Sequence, residues 1–131
     1  MKIIVCLGER GGMSFNGRRQ SRDRAVIADI LSYAEGALTV SPRTAKLFPE
    51  GTVSVMEDPL EARDGYVFVE LGGIARALER VDEIIIYRWN VLYPMDECFD
   101  VEPASEGFRL EECSEFAGYT HEKITKEIYI R

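Results

Sequence analysis

The sequence predicts an α/β fold, a mixed sheet with flanking helices that is finished by an antiparallel C-terminal hairpin. Three observations lead there. Short apolar runs rich in β-branched residues read as strands ("KIIVCL" buried on both faces, "EIIIYRW" also buried, "YVFVEL" a further β-rich run), segments of helical periodicity lie between them, and the last part of the chain changes to period-two alternation. With 131 residues and 46% hydrophobic composition, the chain fits one domain, 1–131, with a core of ordinary size. No repeat, low-complexity tract or linker interrupts it.

Residues 2–7, ended by Gly8, are the first strand, with a central place in the sheet. Ser21 is positioned to cap a helix starting at Arg22, and Val26, Ile27, Ile30, Leu31 and Ala34 recur at helical spacing until Gly36. "ALTVS" (37–41) reads as a strand, and Pro42 opens a short helix running to about Phe48. "TVSVM" (52–56) and "YVFVEL" (66–71) are further strands, joined through the helical fragment "PLEARD". Gly72 and Gly73 lead into a helix "IARALER" and then the strand at 83–89. "GFRLEECSEF" and "KITKEIYIR" form the hairpin. His121, in the turn between them, is expected to be exposed.

A net charge of −7 and a pI near 4.8 argue against a chain built to grip nucleic acid, where Lys and Arg supply most of the affinity. The N-terminus carries neither a secretory h-region nor a membrane span, which predicts a cytoplasmic protein with no membrane partner. Cys6, Cys98 and Cys113 are odd in number and far apart, so a disulfide framework and a thiolate zinc site are both disfavoured. A single histidine excludes a multi-histidine metal centre, so no metal is expected. Walker A and GxSxG sequences are absent, which argues against P-loop and serine-hydrolase chemistry.

Positive charge concentrates in "GGMSFNGRRQSRDRAVIADIL" (11–31). Asp23 lies three and four positions before Val26 and Ile27, so on a helix it shares the apolar face and is partly desolvated. Two readings follow: a carboxylate that orients or protonates a buried ligand, or a first-turn acid favoured by the helix dipole. Arg18 and Arg19 read either as a loop that binds an anion through guanidinium forks or as a solvated face. Gly72 and Gly73 would let backbone amides approach a pyrophosphate, and "SPRT" offers Arg43 and Thr44 at another strand-to-helix junction. Both are also ordinary turn and cap chemistry.

The order of these pieces resembles dihydrofolate reductase across nearly the whole chain. "YVFVELGGIARALERVDEIIIYRWN" is similar to that family's strand, Gly-Gly turn, helix and next strand, "DECFD" to its D-T-x-F-P region, and the final hairpin to its C-terminal one. The resemblance implies that Asp23 is the catalytic acid at the pterin, that Arg43, Thr44, Gly72 and Gly73 hold the phosphates of NADPH, and that any activity is an NADPH-dependent reduction. The departures are specific. The chain is short between "TVSVM" and "YVFVEL", Glu57 and Asp58 stand where a 2′-phosphate needs basic or hydroxyl groups, "PEGT" offers no arginine to a glutamate tail, and "NGRRQ" replaces a Pro-Trp pair. These imply a retained fold with the folate reaction weakened or lost. The expected function is binding of a nucleotide or pterin-like anion next to Asp23. The alternative is a non-catalytic module that meets a protein partner through its arginine loop. The patterns "FNGRRQSRDR" and "YRWN…YP" also resemble small proteins labelled ribonuclease Z, a zinc-dependent nuclease whose two-metal centre one histidine cannot build. The sequence does not specify an oligomeric state.

Overall fold

A computed structural model describes all 131 residues. Ten strands are formed: β1 Lys2–Leu7, β2 Gly12–Phe15, β3 Arg18–Arg19, β4 Leu38–Val40, β5 Ser54–Val55, β6 Tyr66–Phe68, β7 Glu83–Arg88, β8 Glu97–Cys98, β9 Arg109–Phe116 and β10 Ile124–Ile130. The helices are α1 Arg24–Ala34 and the single turn α2 Pro42–Ala45, with 3-10 turns at Pro59–Glu61, Ala75–Arg80 and Pro103–Glu106. The main sheet has the order β5-β4-β6-β1-β7-β10-β9. Strands β5, β4, β6, β1 and β7 run parallel, while β10 joins antiparallel to β7 and β9 antiparallel to β10.

Alternation along the central strands divides the core. Ile3, Val5 and Leu7 of β1, with Ile84 and Ile86 of β7, pack on one face with Val67, Ile74, Val81 and Phe108. Ile4 of β1 and Ile85 and Tyr87 of β7 point the other way, against Val26, Ile30 and Ala34 of α1. That is the period-two consequence of a strand buried on both faces. Helix α1 is held on its sheet face by a polar anchor as well: Tyr87 donates to Asp29 at 2.6 Å, and Lys126 pairs with the same carboxylate at 2.8 Å.

Several expectations are corrected. Helix α1 starts two residues later than Ser21 capping implies, because Asp23 is the N-cap and accepts from the Ala25 amide. "IARALER" forms a 3-10 turn rather than an α-helix. "TVSVM" pairs only over Ser54–Val55, at a sheet edge where few ladder bonds are available. A second, three-stranded sheet, β3-β2-β8, was not anticipated. Its hairpin turns at Asn16 and Gly17, both at positive φ (52° and 69°), the geometry that makes Asn-Gly a two-residue hairpin turn. No helix is long and apolar enough to cross a membrane.

Candidate functional site

The parallel strands β1, β4, β6 and β7 deliver their carboxyl ends to one side of the sheet, where ligands of open α/β folds bind. Asp23, Ser41–Thr44, Glu70–Gly73 and Trp89 all follow these strand ends directly or one connection later.

Asp23 is buried, 2% exposed, and its carboxylate accepts five hydrogen bonds. They come from the amides of Ala25 (2.8 Å), Tyr119 (2.9 Å) and Thr120 (2.9 Å), the Thr120 hydroxyl (3.1 Å) and His121 Nδ1 (2.9 Å). Burial alone would raise its pKa, but the bonds from His121 and the three amides outweigh that and hold the carboxyl well below the ordinary range. The hairpin turn fits so closely here that a Cβ on Gly118 would overlap Asp23 Oδ2.

His121 is correspondingly not exposed; it is 5% accessible. Its ring stacks on Trp89 at 4.5 Å between centroids. Its Nε2 lies 2.7 Å from the Tyr93 hydroxyl and 3.2 Å from Ser21 Oγ. Sequence reasoning missed this cluster. The partners are separated by 98 residues for His121 and Asp23, so no local spacing announces them.

The arginine loop divides. Arg18 is exposed on β3, whereas Arg19 turns inward and clasps Glu70 through two bonds, Nε–Oε2 at 2.6 Å and Nη2–Oε1 at 2.9 Å. Thr44 donates its hydroxyl to the same Glu70 at 2.8 Å, and Arg43 donates to the carbonyl of Gly17. The cavity between Arg19, Asp23, Glu70 and Trp89 holds only about 20 Å³, room for about one water.

Gly72 and Gly73 do meet anionic groups, but those groups belong to the chain. Glu97 accepts from the Gly72 amide at 3.2 Å, and Asp100 accepts from the amides of Ile74 (2.9 Å) and Ala75 (3.0 Å). The turn therefore cradles carboxylates in the manner expected for phosphate. Arg43, Thr44, Gly72 and Gly73 line one groove of about 570 Å³ together with Glu57, Asp58 and Glu70, so the predicted phosphate-binding residues are brought together, amid acids.

Comparison with solved structures finds the dihydrofolate reductase from Enterococcus faecalis complexed with NADP(H) and RAB-propyl, at a TM-score of 0.72 and 10% identity over 99% of this chain and 95% of that one. The fold is that of dihydrofolate reductase. At this identity the likeness concerns the fold alone. No family model and no curated protein matches the sequence. Within the dihydrofolate reductase fold, two of the donors that sequence reasoning assigned to NADPH phosphates are held by acids, the Thr44 hydroxyl by Glu70 and the Gly72 amide by Glu97; Asp100 takes the next amides, of Ile74 and Ala75, and Arg43 donates to the Gly17 carbonyl. The free acid beside them, Glu57, adds negative charge to the groove. As arranged, the Thr44 hydroxyl and the turn amides are occupied by these carboxylates, which a phosphate would have to displace. No group of three or more His, Cys, Asp or Glu side chains is placed to hold a metal ion.

A second groove, of about 720 Å³, opens on the outer side of Asp23 between α1 and the segment after α2. Ile27, Leu31, Leu47 and Pro49 give it an apolar body, and Arg22, Arg24 and Lys46 lie at its edges. None of these three cations has an acidic partner: the chain's ion pairs use Arg19, Arg76, Arg88, Arg109, His121, Lys123, Lys126 and the N-terminus.

Proposed function

We propose that the protein binds a small anionic ligand with an apolar body in the groove beside Asp23, using the dihydrofolate reductase fold as a binding frame and not as an NADPH-dependent reductase. One observation carries this reading. In a chain of net charge −7, Arg22, Arg24 and Lys46 are unpaired and converge on one largely apolar groove of about 720 Å³, a volume within the roughly 300–1,000 Å³ usual for ligand sites. Unpaired guanidinium and ammonium groups beside apolar surface suit an aromatic or aliphatic carboxylate or sulfonate.

The reductase reading asks Asp23 to supply a proton while its carboxylate is ionised and already accepts five bonds. It also asks a dinucleotide to displace Asp100, Glu97 and Glu70 from the donors they occupy. A protein partner presenting acidic groups would meet the exposed Arg18 on β3 together with Arg22 and Arg24; this is the second reading.

The probe is 8-anilinonaphthalene-1-sulfonate, an apolar anion whose fluorescence rises on transfer to a dry site. Binding to the folded protein is expected to saturate and to weaken with salt. The triple variant Arg22→Glu, Arg24→Glu, Lys46→Glu should lose at least about tenfold in affinity, roughly 1.4 kcal/mol, with an unchanged circular dichroism spectrum. Unchanged affinity in that variant would overturn the assignment. If Arg18→Glu alone abolishes binding of an acidic peptide while the sulfonate still binds, the second reading gains instead. Titration with NADPH is expected to show no saturation.

A further inference from the structure

We propose that Ser21, His121 and Asp23 form a hydrolytic triad acting on short-chain acyl esters, assembled from distant segments without the GxSxG elbow whose absence argued against such chemistry at the level of sequence. The geometry is a continuous relay. Asp23 Oδ2 lies 2.9 Å from His121 Nδ1, and His121 Nε2 lies 3.2 Å from Ser21 Oγ. An ionised Asp23 only accepts hydrogen bonds, so it fixes the proton on Nδ1 and leaves Nε2 as the base. Both partners are almost fully buried, with side chains 1% and 0% exposed, and the Trp89 stack holds the imidazole plane. Such orientation is what makes a serine–histidine pair reactive.

Three further features fit the assignment. Ser21 is the partly accessible member and lines the cavity of about 20 Å³, which limits the acyl part to formyl or acetyl size. The amide of Arg22, the residue after the nucleophile, makes no hydrogen bond within the chain and is free to meet an oxyanion, as in other serine enzymes. The Tyr93 hydroxyl, 2.7 Å from Nε2 and 3.2 Å from Ser21 Oγ, holds the base in a resting state and must turn toward Ser21 when the serine attacks.

In the reaction, the Ser21 Oγ–carbon bond forms as the hydroxyl proton passes to His121 Nε2. Collapse of the tetrahedral adduct breaks the ester C–O bond, and the leaving alcohol takes that proton. Water then repeats the sequence, releasing the acid and restoring Ser21. Arg22, Asp23, Ile27 and Leu47 line both this cavity and the outer groove, so the leaving group extends into that groove. Only this last point rests on the anion-binding reading.

The test uses a fluorophosphonate probe, which places phosphorus on an activated serine with loss of fluoride, alongside hydrolysis of p-nitrophenyl acetate. The folded protein is expected to be labelled and to release nitrophenol, with Ser21→Ala abolishing both. His121→Gln should slow labelling by about a hundredfold or more, and Tyr93→Phe, which frees Nε2, should speed it. Each variant's fold is checked by its near-ultraviolet spectrum. Wild type and Tyr93→Phe both unlabelled, labelling that survives Ser21→Ala, or slower labelling of folded Tyr93→Phe would each overturn the triad. The sulfonate titration above is independent of Ser21, so failure of one assignment leaves the other separately measurable.

Discussion

Arg19 and Glu70 grip each other through two parallel bonds of 2.6 and 2.9 Å across the mouth of the inner cavity. Glu70 is the more enclosed partner, its side chain 7% exposed against 29% for Arg19. Loss of the arginine therefore strands a carboxylate with Thr44 as its remaining side-chain donor. Arg19→Ala should destabilise the protein by about 2 kcal/mol, and Arg19→Ala with Glu70→Gln by less than that. Urea denaturation of the single and double variants measures both. Equal losses would mean that the pair contributes nothing specific.

The Gly72–Gly73 turn makes a different prediction. A Cβ at Gly73 would overlap Asp100 Oδ2, so Gly73→Ala must push Asp100 off the Ile74 and Ala75 amides. Destabilisation of about 1–3 kcal/mol is expected. In an Asp100→Ala background the same glycine change should be nearly neutral. That background also uncovers the two amides, and isothermal titration should detect pyrophosphate binding that the natural chain lacks.

Stability should depend on pH through Asp23. Its folded pKa is depressed below the unfolded value of about 3.9. The carboxylate's contribution is thus complete well above that value and is lost as pH falls through and below it. Between about pH 5 and pH 2 the wild type is expected to lose stability faster than Asp23→Asn, which lacks the titrating group and is about 2–3 kcal/mol weaker near neutrality. Denaturant midpoints across that range decide the matter. Parallel curves would locate the acid sensitivity elsewhere.

A milder effect is expected at the anchor of α1. Tyr87→Phe removes a 2.6 Å bond to Asp29 but leaves Lys126 on that carboxylate, so about 1 kcal/mol should be lost. Lys126→Met should cost more than Tyr87→Phe, since it removes the charge partner and a cation held 4.1 Å from the Tyr33 ring centroid. Thermal melts of the two variants give the order.

The parts of this architecture that were legible in the sequence are those set by local pattern. "KIIVCL" and "EIIIYR" announce their burial because both faces of each strand are apolar, and the hairpin announces itself through alternation and a polar turn. Helix α1 was visible from its apolar spacing, but its start was not. Ser21 and Asp23 are both good caps, and the choice falls to Asp23 because the distant turn at 119–121 supplies further donors to it. "IARALER" carries helical residues in too short a run to hold an α-helix, and Asp100 takes its first amides. The Asn16–Gly17 hairpin did carry a sequence signal, the Asn-Gly pair itself. Asp23, Arg19, Thr44 and the glycine pair, which the sequence singles out, lie near the strand ends, but their arrangement was not legible. That Glu70 takes the donors of Arg19 and Thr44, that Glu97 takes the Gly72 amide, and that His121 lies beneath Trp89, depends on contacts between distant segments.

The bonds that Asp23 receives from residues 119–121 also bear on how the chain is made. A ribosome delivers α1 roughly a hundred residues before the turn that completes its N-terminal anchor, and β10, which that turn precedes, fills the place between β7 and β9. A nascent chain lacking its last stretch holds an unmatched carboxylate against apolar surface and an open edge on β7. Closure of the fold therefore waits for the 119–121 turn and β10, and until they are in place the Asp23 carboxylate and the β7 edge stay uncovered.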